Sequence, residues 1–199
     1  NIQILINNDL IIAADNLGYI YCLDYKNNKL VWAKNMLIPF RSNLKRHKNL
    51  LFLSDEKNKI ISIDLRDGKK IDELYTQPAK TVSSFQSNFA LDKNNNLLFL
   101  STSGSLYSLN LINKKIINWI QNFNLNNDIT FNSSPIIVSD NTIVLATQNQ
   151  IAAVTTNGRR LWDLELSSKV SPVVSGNTVV TITKNNFIIL INKATGEIF

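Results

Sequence analysis

One histidine and one cysteine are all the soft metal-binding chemistry this chain of 199 residues owns. A closed tetrahedral zinc site needs four such ligands, so His47 and Cys22 cannot make one. Cys22 alone also excludes an intrachain disulfide, and the cysteine content therefore carries no sign of the redox compartment. The six glycines stand singly, which removes the Gly-rich loops that cradle phosphates. No apolar run is long enough for a membrane helix, and no signal peptide or lipid-attachment box is visible; runs such as Phe187 to Ile191 have the length of strands. Helical periodicity is missing as well, and no carboxylate cluster has the spacing of a calcium loop.

What is present is a phrase repeated five times: an apolar strand, an Asp or Asn, a tight turn, a basic residue and a second apolar strand. It runs Tyr21 to Trp32, Ser62 to Leu74, Tyr107 to Trp119, Ala152 to Trp162 and Ile189 to Phe199. The turn positions Asn28, Gly68, Lys114, Gly158 and Gly196 are 40, 46, 44 and 38 residues apart, about 42 on average. A period of that length built from strands predicts propeller blades of four antiparallel strands, so the fold class is all-β, a β-propeller with about five blades in this chain. The predicted blades span about 1–36, 37–77, 78–122, 123–167 and 168–199 and form one domain or fragment. Continuous apolar runs such as residues 50–53 and 97–100 fit central strands covered on both faces.

Turn chemistry supports the register. Asp24, Asp64, Asn110 and Asn192 close their strands, where an Asx side chain caps the following turn. Gly68, Gly158 and Gly196 supply the positive φ of the corner, with Asn28 as the next best residue. Lys114 breaks the rule and predicts a distorted outer hairpin in the third blade. Trp32, Trp119 and Trp162 recur just after the turn, where a large ring can wedge between neighbouring blades; Asp72 takes that place in the second repeat and predicts a weaker seam.

A net charge of +6 and a pI near 9.4 tolerate acidic partners, yet Lys and Arg are scattered, so nucleic-acid binding is not expected. The densest basic stretch, Arg41 with Lys45, Arg46, His47 and Lys48, reads as a solvated loop. No nucleophile elbow surrounds His47, and catalytic residues, metal and cofactor are all expected to be none. The longer inter-strand segments, Lys34 to Lys48, Thr76 to Asn88 and Asn122 to Ser134, are the candidate binding rims. Their Phe40, Phe85, Phe123 and Phe131 either contact a partner or plug gaps between blades.

Taken together, [IVL]-[DN]-x-x-x-G-K-x-x-W and the Ser-Pro-x-Val element, present as Ser134-Pro135-Ile136-Ile137 and Ser171-Pro172-Val173-Val174, resemble the repeats of the pyrroloquinoline-quinone-like propeller superfamily along essentially the whole chain. Within it the chain is similar to the BamB family of outer-membrane assembly lipoproteins. That resemblance implies a non-catalytic scaffold at the periplasmic face of the bacterial outer membrane, held there by a lipid anchor outside this chain and binding the periplasmic domains of a BamA-like protein. It implies a partner-binding turn at Ile38, Phe40 and Arg41. It also implies eight blades, so the chain is expected to be an open arc cut from a larger propeller, with a closed five-bladed ring as the alternative. A quinoprotein dehydrogenase or ligand-sensing propeller is the competing expectation, although the adjacent cysteines of alcohol-oxidising quinoproteins are impossible with one cysteine.

Overall fold

The computed structural model describes residues 2–79, 81, 85–112, 116–124, 131–168 and 170–199. Every regular element among them is a strand, and each sheet is drawn from consecutive strands. The first sheet holds β1 (Ile2–Asn7), β2 (Leu10–Asp15), β3 (Tyr19–Asp24) and β4 (Lys29–Asn35). The second holds β5 (Lys45–His47), β6 (Leu50–Ser54), β7 (Ile60–Asp64) and β8 (Lys70–Leu74). In the third are β9 (Asn88–Leu91), β10 (Asn96–Leu100), β11 (Ser105–Asn110) and β12 (Ile116–Asn122). The fourth has β13 (Ile137–Ser139), β14 (Thr142–Ala146), β15 (Ile151–Thr155) and β16 (Arg160–Leu164), and the fifth β17 (Val173–Ser175), β18 (Thr178–Ile182) and β19 (Ile188–Asn192). All sheets are antiparallel meanders, and the expected last strand at Glu197 to Phe199 is reduced to one bridge between Ile191 and Ile198. The chain divides into two compact units, Asn1–Phe89 and Ala90–Phe199.

The basic stretch is not the loop its charges suggested. Lys45, Arg46 and His47 form β5, paired with Phe52, Leu51 and Leu50, and all three are half-buried. The Arg46 guanidinium turns back on the protein and donates to Lys48 O and to Asn7 Oδ1. Burial and the neighbouring Lys48 push the His47 imidazole below its usual range.

Middle strands follow the covered-on-both-faces expectation: β7 is buried at every position, and β6, β10 and β14 at every position but the first. The first and fifth sheets differ. In β3 burial alternates strictly, leaving Tyr19, Tyr21 and Leu23 exposed beside Ile2, Ile4 and Ile6 of β1; Val173, Ile188 and Leu190 are exposed in the fifth. These strands are apolar on both faces, and only one face is covered by residues of its own unit.

Asx caps close the turns as the sequence implied. Asp24 Oδ1 accepts from the Asn27 amide at 3.0 Å, Asn110 Oδ1 from Ile112 at 2.8 Å and Asn192 Oδ1 from Ala194 at 2.9 Å. Lys114, on which the distorted third hairpin turned, lies outside the described residues. The strands flanking that hairpin carry the same single register shift, at Ser108/Leu109, as the other outer hairpins do at Cys22/Leu23, Ser62/Ile63 and Ala153/Val154.

Asp64 makes the most heavily bonded cap. Its carboxylate accepts from the Arg66 amide at 2.9 Å and from the Arg66 guanidinium, 2.6 Å from Nη2. Those bonds hold its carboxyl down to about 2, below the ordinary 3.8. Between these values the folded protein binds fewer protons than the unfolded chain, so the stabilisation is complete above about 4 and is lost as pH falls towards 2. Asp64→Asn should therefore be less stable than the parent at neutral pH and should flatten the acid limb of a stability-against-pH curve, a difference that salt reduces because Arg66 is exposed.

Candidate functional site

Two recurring or clustered arrangements stand out, and they do different work. The first is the tryptophan seam. Trp32 in β4 lies over Gly68 of the next sheet and donates its indole N–H to Leu65 O at 2.8 Å. Trp119 in β12 lies over Gly158 and donates to Thr156 O at 3.0 Å; Trp162 in β16 lies over Gly196 and donates to Lys193 O at 2.8 Å. A Cβ on any of these glycines would sit 2.7 Å from the ring. The bulge in each outer hairpin falls beside the tryptophan, opposite Cys22, Ser108 or Ala153, and turns the ring out of the sheet towards its neighbour. The expected inter-blade role of Trp32, Trp119 and Trp162 is thus a specific ring-on-turn contact with one hydrogen bond, inside one unit each time.

The second arrangement lies in residues 1–89, where β4 runs into the rim at 36–41. Met36 N donates to Gly18 O at 2.8 Å, and the chain passes so close that a Cβ on Gly18 would lie 2.8 Å from Ile38 O. Gly18 is therefore fixed by the loop it supports. Asn35 Oδ1 accepts from the Leu37 amide at 2.8 Å and holds Leu37 at a φ of 57°, a conformation costly for a branched apolar residue. The consequence is a leucine 83% exposed to solvent on a tightly anchored backbone.

Ile38 is half-buried against the first core, and Phe40 is inside it, only 5% exposed. Phe40 thus serves the core rather than a contact surface, because the bridge of Phe40 to Asp55 turns its ring inward. Arg41 is half-buried; its amide donates to Ser54 O at 3.0 Å and its carbonyl accepts from Ser87 N at 2.9 Å. Of the other rim phenylalanines, Phe123 and Phe131 are also buried, where both join the core of the third and fourth sheets, while Phe85 is half-buried. For Phe40, Phe123 and Phe131 the gap-filling alternative holds.

Leu37, Ile38 and Pro39 form one wall of a cavity of about 630 Å³ whose other wall is Tyr75, Thr76 and Pro78. Its floor is the β6–β7 turn, where the buried Asp55 accepts from the Lys57 and Lys59 amides at 2.9 and 2.8 Å. Tyr75 is 74% exposed, with Lys59 Nζ 5.6 Å from its ring centre and 3.2 Å from Glu73 Oε1. Lys70 and Lys59 hold the Glu73 carboxyl below its usual range. Glu56 and Lys57 also line the cavity, but most of its surface comes from apolar groups, which suits an apolar group of a partner framed by polar ones. Sequence reasoning placed the rim but missed Leu37 and Tyr75. Asn35, two residues before Leu37, was the one local sign, since an Asx turn there pushes the next side chains towards solvent.

Comparison with known proteins agrees with this architecture. The family model described as outer membrane protein assembly factor BamB matches residues 4–199. The crystal structure of BamB from Moraxella catarrhalis superposes with a TM-score of 0.79 at 16% identity, over 100% of this chain and 62% of that one. A computationally designed protein, Ika8, superposes with a TM-score of 0.72 at 12% identity, over 100% of this chain and 60% of that one. The chain therefore spans less than two thirds of either structure, and at these identities the likeness is one of fold. No curated protein matches the sequence.

Proposed function

We infer the function from one premise: the chain belongs to the outer membrane protein assembly factor BamB family, and its sheets are blades of a propeller of that kind. It acts as a non-catalytic scaffold that binds protein partners, as part of the machinery that assembles β-barrels in the bacterial outer membrane. Its place is the periplasmic face of that membrane, and its partner is a BamA-like protein with periplasmic domains. The observation that carries the scaffold reading is the pairing of Leu37 and Tyr75 across one apolar cavity, both exposed and one held out by a fixed backbone. A side chain already immobilised loses little entropy on binding, which is the advantage of a preformed contact surface.

The partner surface comprises Leu37, Ile38, Tyr75 and Arg41, with Phe40 supporting it from the core. Leu37→Asp and Tyr75→Ala should each weaken capture of the periplasmic domains of the barrel-inserting partner about tenfold or more, as truncation of a central contact does. Both residues are exposed, so the melting temperature should hardly move. Arg41→Glu should weaken capture as well. Undiminished capture by all three variants would remove this surface from the interface.

A further inference from the structure

The Ser-Pro elements at Ser134-Pro135 and Ser171-Pro172 belong to neither the seam nor the rim, yet a cavity opens beside them. Proline has no N–H to give a ladder, so the first strand of a sheet is interrupted where it stands. In the fourth sheet Ser133 bridges Thr147 before the interruption, and the ladder resumes with β13 at Ile137. In the fifth, Ser168 bridges Thr183 and β17 begins at Val173. β13 and β17 are neighbours, and both interruptions line a cavity of about 510 Å³ within the Ala90–Phe199 unit. Its wall is mostly polar, with Asn132, Ser134, Thr147, Gln148, Ser171 and Lys184, and the described lining residues include no carboxylate and no aromatic ring. Lys184 Nζ donates to Gln148 O at 3.2 Å and Gln148 N to Asn132 O at 3.3 Å, so these three residues adjoin. Among the described residues, the side chains of Asn132, Gln148 and Ser171 have no hydrogen-bond partner and Lys184 has no ion pair.

We propose that this cavity binds a small polyhydroxylated molecule carrying one anionic group, a sugar acid or a sugar phosphate. Its volume is that of a small-molecule site and exceeds what a lone anion fills. Amide and hydroxyl side chains both donate and accept, and hydroxyl groups on a ligand answer them in both directions. The Lys184 ammonium only donates, and an anion is its strongest acceptor. With no ring in the described wall to stack on, a flat aromatic ligand finds no favoured place. Glu165 stands in the wall of the next cavity, which shares Lys184, and makes no ion pair with it. Asp128 and Lys169, in neighbouring segments outside the described residues, carry one charge of each sign and leave the balance to Lys184. The cavity belongs to a different unit from the rim at Leu37 and does not depend on the partner assigned there.

Amide NMR titration of the whole chain with glucuronate and with glucose 6-phosphate tests it, against glucose, acetate and inorganic phosphate. The expected result is saturable binding of one or both anionic sugars, with shifts centred on Asn132, Gln148, Ser171 and Lys184 and the three simpler compounds at least about tenfold weaker. Whichever anionic sugar binds more tightly identifies the anionic group. Lys184→Gln should weaken that binding about tenfold, or about 1.4 kcal/mol, and leave the melting temperature unchanged because the side chain is exposed. No saturation by either anionic sugar below about 10 mM, or shifts centred elsewhere, would overturn the proposal. So would glucose, acetate or phosphate binding as tightly as the anionic sugars, or Lys184→Gln binding them as well as the parent. Should Lys184→Gln lower the melting temperature, the shifts and the ligand ranking in the unaltered protein decide alone.

Discussion

Trp162→Ala should destabilise the Ala90–Phe199 unit by about 3–5 kcal/mol, the usual cost of emptying a core of its largest ring. Trp162 is 7% exposed and packs with Val144, Ala153, Val179 and Ile191 between the fourth and fifth sheets. Two losses combine. The ring leaves a hole that rigid sheets cannot close, and Lys193 O loses the donor it had at 2.8 Å. Trp162→Phe separates them, because it restores most of the area and no hydrogen bond; its cost should be nearer 1–2 kcal/mol. Blades in series depend on their neighbours, so the loss should appear first as faster amide exchange in β17 to β19, before the rest of the unit. Equal acceleration throughout the unit, or a cost below about 1 kcal/mol, would show that the ring is not what joins the two sheets.

Gly158→Ala should cost about 2–4 kcal/mol, and about half of that cost should vanish when Trp119 is absent, because two separate demands fall on this one residue. Gly158 has a φ of 89°, where an L side chain is strained by roughly 1–2 kcal/mol. Its added methyl would also sit 2.7 Å from the Trp119 ring and drive the indole off Thr156 O. In a Trp119→Ala background only the strain remains, so a double-mutant cycle should return a coupling of about 1–2 kcal/mol. The first repeat supplies a natural control: Asn28 holds the equivalent corner at a φ of 49° without glycine. Positive φ alone is thus compatible with Asn, and Gly158→Asn should be as damaging as Gly158→Ala while Asn28→Gly is nearly neutral. Additive costs for Gly158→Ala and Trp119→Ala would mean that the turn needs glycine for its own conformation only.

The candidate site shows where a repeat-based reading stops. Loop lengths located the rim at 34–48, because strands announce themselves by period and what lies between them is left over. Choosing among Leu37, Ile38, Phe40 and Arg41 needed the bridge of Phe40 to Asp55 and the left-handed backbone at Leu37, both set by residues distant in the chain such as Gly18 and Ser87. Tyr75 was invisible for the same reason, since its exposure depends on what the second sheet leaves uncovered. Local pattern was enough for the order and antiparallel pairing of most strands and for the identity of the seam residues, since these follow from periodicity and from turns that close within a few residues. Which apolar faces are covered and which rim side chains point outward came only with the folded arrangement, because each depends on contacts between segments that no local pattern specifies.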